Sequence, residues 1–99
     1  MNRSLIDKPE SKIEQTVCSK AKNLGWLVYK FTSPNQRGVP DRIFMRNGIC
    51  FFVEFKKFGK KPTELQNVTM GKIKLIGGFE CYVIDNIEDG FKLLEKYQN

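Results

Sequence analysis

The spacing of apolar positions changes repeatedly along the chain, and each change marks an element. Ile13, Val17, Ala21 and Leu24 recur every three or four residues, as on one buried stripe of a helix. Ser11-Lys12-Ile13-Glu14 has the S-x-x-E form of a capping box, which predicts a helix opening at Ser11, running to about Asn23 and ended by Gly25. Trp26 to Phe31 then reads as a strand. Thr32 to Val39 is turn chemistry, with Pro34, Asn35 and Gly38 in a polar stretch. Two further apolar runs, about Asp41 to Arg46 and Ile49 to Lys57, flank Asn47-Gly48, a strong hairpin signal suited to a type I′ turn.

Phe58 to Pro62 is a basic loop. Thr63-Glu64-Leu65-Gln66 is a second capping box, opening a helix predicted to end at Gly77-Gly78. Leu65, Thr69, Lys72, Ile73 and Ile76 give that helix a mixed face, and Gly71 weakens it by about 1 kcal/mol relative to alanine. Phe79 to Asp85 is a fourth strand. Asn86 caps a last helix, Ile87 to about Tyr97, with Phe91, Leu94 and Tyr97 expected to face inward. The order αβββαβα predicts an α/β fold, a mixed sheet with helices on both faces. No repeat or linker interrupts the 99 residues, which suit one domain over 1–99, with Met1 to Glu10 as a loose arm or lead-in.

A two-residue loop fixes the hairpin register. Counting outward from Arg46 opposite Ile49 sets Asp41 opposite Glu54. Directly opposed side chains share a face with Cβ atoms about 4.5–5.5 Å apart. Lys56, two residues on, points the same way, roughly 6.5–7 Å along the strand. The rest of that face is Ile43, Met45, Cys50 and Phe52; the other carries Phe44, Phe51, Val53 and Phe55. Both are apolar, as when helices cover each side. Three charges are therefore gathered at one end of a dry layer. Two opposed carboxylates repel, so either one is protonated or a cation lies between them. Lys56 can supply that cation as an ion pair. Alternatively, two carboxylates, a backbone carbonyl and waters make a hard-cation site for Mg²⁺ or Mn²⁺.

Composition narrows the chemistry. The chain contains no histidine, which removes Ser-His-Asp and Cys-His catalysis, His-ligated zinc and histidine general bases. Seventeen Lys and Arg against eleven Asp and Glu give a formal charge of +6, favouring a polyanionic partner such as nucleic acid. Cys18, Cys50 and Cys81 are widely separated and odd in number, as for reduced thiols in a cytoplasm. No apolar run approaches the roughly 18 residues of a bilayer span, and the polar, charged first ten residues predict no leader. A cytoplasmic protein (host-cell cytoplasm if phage-encoded) that makes no membrane contact is expected.

Pro40-Asp41, a twelve-residue gap, then Glu54-Phe55-Lys56 resembles the PD-(D/E)-x-K signature of the restriction-endonuclease-like nuclease superfamily. The wider string, Glu14, Gly38-Val39-Pro40-Asp41, Phe52-Val53-Glu54-Phe55-Lys56 and Gln66, resembles the VRR-NUC branch in its short, stand-alone, phage-type form. The resemblance extends from about Glu10 to Asp85. It implies a divalent-metal-dependent phosphodiesterase acting on DNA. Asp41 and Glu54 would hold Mg²⁺ or Mn²⁺, with the Phe55 carbonyl as a further ligand. Lys56 would orient or help deprotonate the attacking water. Gln66 would sit beside that lysine, and Glu14 would join the site through a water or a second ion. For both Glu14 and Gln66 the capping boxes offer a purely local role.

Lys30, Ser33, Gln36 and Arg37 precede Asp41, while Lys57, Lys60 and Lys61 follow Lys56. Both sets are expected at the carboxylate end of the sheet, holding DNA phosphates without reading sequence. With no base-reading element, cleavage selective for structure, such as a Holliday junction or flap, is expected. The alternative is a DNA-binding module on the same fold without turnover. The resemblance also implies a homodimer, which would set two sites at a defined spacing.

Overall fold

A computed structural model describes residues 8–98. Most of the expected lead-in arm lies outside these residues. The order is α1 (Glu10–Asn23), β1 (Leu27–Lys30), β2 (Arg42–Arg46), β3 (Ile49–Phe55), α2 (Glu64–Leu75), β4 (Glu80–Ile84) and α3 (Ile87–Lys96). The αβββαβα order read from the periodicity is thus the order observed. The strands form one mixed sheet in sequence order, antiparallel from β1 to β3 and parallel between β3 and β4.

The hairpin turn has φ of 49° at Asn47 and 79° at Gly48, the double positive φ that a type I′ turn requires. Its ladder runs from Arg46↔Ile49 to Arg42↔Val53 and stops there, so Asp41 lies one residue beyond the last pair. Parity then separates two faces. Phe44, Phe51, Val53 and Phe55 are essentially inaccessible and meet Ile13, Val17 and Ala21 of α1 and Leu93 and Leu94 of α3. Trp26 packs edge-on against Phe44 and Phe51, closing the core near the hairpin.

The second face is covered unequally. Helix α2 lies along β4 and leaves Leu27 and Tyr29 of β1 exposed. Its own buried residues are Thr69 and Met70, whereas Leu65 and Ile76, expected on its inner face, are exposed. The sparse apolar pattern of α2 reflects its shallow packing on β4. In α3 the inward positions are Gly90, Leu93 and Leu94, with Phe91 only half-buried. A Cβ on Gly90 would collide with Val17 Cγ2, so the bare backbone is what lets α3 approach α1.

The opening of α1 departs from the sequence reading. Pro9 is the N-cap, and its carbonyl accepts from Lys12 and Ile13 N–H. No side chain caps this end, so Ser11 and Glu14 form no capping box. Proline presets the extended entry and its ring needs no partner, which frees Glu14 for a tertiary contact. The second capping box is present: Thr63 Oγ1 accepts from Gln66 N–H, and Gln66 Oε1 accepts from Thr63 N–H.

Candidate active site

Strand directions gather the site. β1, β3 and β4 end, and β2 begins, at one edge of the sheet. The segments after Lys30, after Phe55 and after Ile84 therefore emerge together beside Asp41. This puts both basic sets, Lys30, Ser33, Gln36 and Arg37 with Lys57, Lys60 and Lys61, at the carboxylate end. All are exposed except Ser33, which is half-buried.

Asp41 sits in the bend before β2, and its Oδ2 accepts from Phe55 N–H at 2.7 Å. That bond crosses the hairpin where the regular ladder has ended, holding Asp41 against the end of β3. Behind it, Phe31 N–H donates to the Asp41 carbonyl at 2.8 Å, and Pro40 is fully buried. The loop leading in is pressed against α2. Gly38 has φ of 84°, and a Cβ there would lie 3.0 Å from Leu65 O and from Thr69 Oγ1. Thr69 in turn donates to the Arg37 carbonyl.

Glu54 is only 3% exposed although it can carry charge. Its Oε2 receives Gln66 Nε2 at 2.9 Å and Lys56 Nζ at 3.3 Å. Its Oε1 is buried with no hydrogen-bond partner. Burial and then the nearby Asp41 charge push the Glu54 carboxyl up to about 7, with Lys56 opposing. Asp41 is also shifted upward, chiefly by burial, against the Phe55 N–H bond that favours its charged form. Asp41, Glu54, Lys56 and Gln66 are thus brought together. Gln66 both closes its capping box with Oε1 and braces Glu54 with Nε2.

Glu14 is near enough for its charge to raise the Asp41 carboxyl, but its hydrogen bond goes elsewhere. Its Oε2 accepts from Arg42 Nε at 2.6 Å in a half-buried pair. Arg42 pairs with Val53, which sets it on the α1 side of the sheet, while Glu54 lies on the other side. Among the described residues no three Asp, Glu, Cys or His side chains are grouped as metal ligands. Two side-chain carboxylates with hard oxygens, one of them carrying an orphaned buried atom, still suit a divalent cation completed by backbone and water oxygens.

Sequence reasoning missed Arg42, Thr69 and Asp85. Asp85 Oδ2 accepts from Gly59 N–H at 2.9 Å and ties the basic turn to the end of β4. The signal for Arg42 was its place directly after Asp41, on the opposite face. Thr69 and Asp85 gave no pattern of their own, because their partners are far along the chain. No helix among the described residues is long and apolar enough to cross a membrane.

Comparison with known proteins agrees with this geometry. No family model matches the sequence. A stretch of 58 residues is 47% identical to "Putative nuclease p44" of Acyrthosiphon pisum secondary endosymbiont phage 1, spanning 58% of this chain and 62% of that protein. A solved structure described as a VRR_NUC domain superposes with a TM-score of 0.80 at 26% identity, over 89% of this chain and 96% of that one.

Proposed function

We propose that the chain is a nuclease of the VRR-NUC type that hydrolyses DNA phosphodiester bonds with a divalent cation. The observation that carries the reading is Glu54: a carboxylate buried beside Asp41, held by Lys56 and Gln66 on one oxygen and left unpartnered on the other. A buried unpaired oxygen costs roughly 1–3 kcal/mol or more, an arrangement that pays only if something binds it.

Mg²⁺ or Mn²⁺ fits the donor set. Asp41, through the oxygen not engaged by Phe55, and Glu54, through Oε1, would hold it, with the Phe55 carbonyl as a further ligand. When bound, such a cation lowers the pKa of its water and offsets charge growing on the phosphoryl oxygens. The protein's part is positioning. Phe55 N–H holds Asp41, and Gln66 Nε2 holds Glu54, so both carboxylates are oriented before substrate arrives. Lys56 Nζ, 3.3 Å from Glu54, presents a compact cation that would donate to the attacking water or to the scissile phosphate.

The exposed cations at the same sheet edge, Lys30, Arg37, Lys57, Lys60 and Lys61, with Ser33 and Gln36, would hold flanking phosphates. Such contacts carry no base code, which favours branch or flap structure over sequence as the selected feature. A homodimer is part of the reading. Leu27 and Tyr29 on the uncovered part of the sheet, and Leu75, Ile76 and Phe79 at and just past the end of α2, expose apolar surface for it. Sedimentation at micromolar concentration should give twice the chain mass.

The test is cleavage of a labelled four-way junction and its matched linear duplex by wild type, Asp41→Ala and Lys56→Ala, in Mg²⁺, Mn²⁺ or EDTA. Cutting by wild type alone, abolished by EDTA, is expected, with the junction cut faster. Intact DNA in every lane together with a gel shift would favour the binding module without turnover.

A further inference from the structure

Glu14 invites a place among the metal ligands, because Asp41 feels its charge and α1 points it towards the same sheet edge. The structure gives it a different occupation. Arg42 Nε holds Glu14 Oε2 at 2.6 Å, with the two side chains 22% and 14% exposed. A charge-assisted bond of this length in a half-dry setting is among the stronger polar contacts a protein makes. Its location matters as much as its length. Glu14 and Arg42 lie on the α1 side of β2, whereas Glu54, Lys56 and Gln66 lie on the α2 side. Asp41, just before the strand, is the carboxylate between the two groups. Glu14 therefore does not join Asp41 and Glu54 in one cluster, in keeping with the lack of any three-ligand group among the described residues.

We infer that Arg42 is a positioning residue that withholds Glu14 from the cation and limits the site to a single divalent ion, held by Asp41 and Glu54. The inference rests on the metal-dependent reading above and settles a matter that reading leaves open, the number of ions. Arg42 neutralises Glu14, so Asp41 faces a paired carboxylate and not a bare one. Without the guanidinium, Glu14 becomes an uncompensated carboxylate beside Asp41, the arrangement that recruits a second hard cation.

The experiment is isothermal titration of the full chain with Mn²⁺ in the absence of DNA, so that no turnover enters the readout. Wild type, Glu14→Gln, Arg42→Met and Asp41→Asn are compared after circular dichroism has confirmed their folding. Wild type is expected to take up one Mn²⁺ per chain. Glu14→Gln keeps an acceptor for Arg42 and should retain that stoichiometry with affinity within about twofold, while Asp41→Asn weakens binding by at least about tenfold. Arg42→Met should gain a second, weaker Mn²⁺. Loss of about tenfold or more in affinity in Glu14→Gln would make Glu14 a ligand and overturn the inference while leaving the metal-dependent reading standing. No uptake by wild type would overturn both. If Arg42→Met does not fold, Glu14→Gln alone decides.

Discussion

At the scale of single residues, the site holds one ionisable group, Glu54, where water scarcely reaches it. The Glu54 carboxyl, pushed up to about 7 from 4.5 by burial and by Asp41, favours the fold while it is protonated. Its contribution is therefore full below about pH 4.5 and is lost as the pH rises through about 7. In EDTA, the melting temperature of wild type should fall between pH 5 and pH 8 by roughly several degrees relative to Glu54→Gln, which has no proton to lose there. Parallel profiles for the two proteins would mean that Glu54 is solvated. Adding Mn²⁺ above pH 7 should restore wild type and leave Glu54→Gln unchanged, because the cation favours the ionised carboxylate.

Single elements show how one residue can serve two levels of structure. Gln66 closes the cap of α2 and braces Glu54, so the start of that helix and the orientation of the carboxylate are set together. Thr63→Ala should cost about 1 kcal/mol in denaturant unfolding, the ordinary value of an N-cap. Gln66→Ala should cost more, since it also strips a donor from a buried carboxylate; equal losses would show that the bond to Glu54 adds nothing. Two helical glycines predict opposite signs. Gly71 has open space around it, so Gly71→Ala should stabilise by about 0.5–1 kcal/mol. Gly90 touches Val17, and Gly90→Ala should destabilise by about 1–3 kcal/mol despite the better helix propensity. A gain in stability at Gly90 would mean that α1 and α3 are not packed as described.

For the whole molecule, strand direction is what turns scattered charges into one surface. Lys57, Lys60 and Lys61 leave β3 at the edge where Asp41 enters β2. Each one that contacts a phosphate should contribute about 0.9 to the slope of log affinity against log salt. Replacing all three with alanine should flatten that slope in a salt series of DNA binding, at similar cost for every DNA sequence. An unchanged slope would place the DNA elsewhere on the surface.

Much of this was legible in the chain itself. Periodicity of 3.6 and 2 gave the elements in order, and Asn47-Gly48 allowed only one register, which brought Asp41 near Glu54 without any tertiary information. These are local properties, set by the backbone dihedrals and side-chain alternation of neighbouring residues. The Thr63–Gln66 cap is local in the same sense, and it was read correctly. The matching motif at Ser11–Glu14 was not a cap, because Pro9 had already presented the helix with its first turn and Arg42, twenty-eight residues away, offered Glu14 a stronger partner. The uneven cover of the second face, the close approach at Gly90 and the orphaned oxygen of Glu54 belong to the same class. Each depends on which distant group arrives at a given point once the sheet has closed, and desolvation acts only after that arrival. The sequence by itself determined the elements, the hairpin register and the carboxylate–lysine set; the tertiary structure alone decided which of those charges are buried, which are paired and which oxygen is left without a partner.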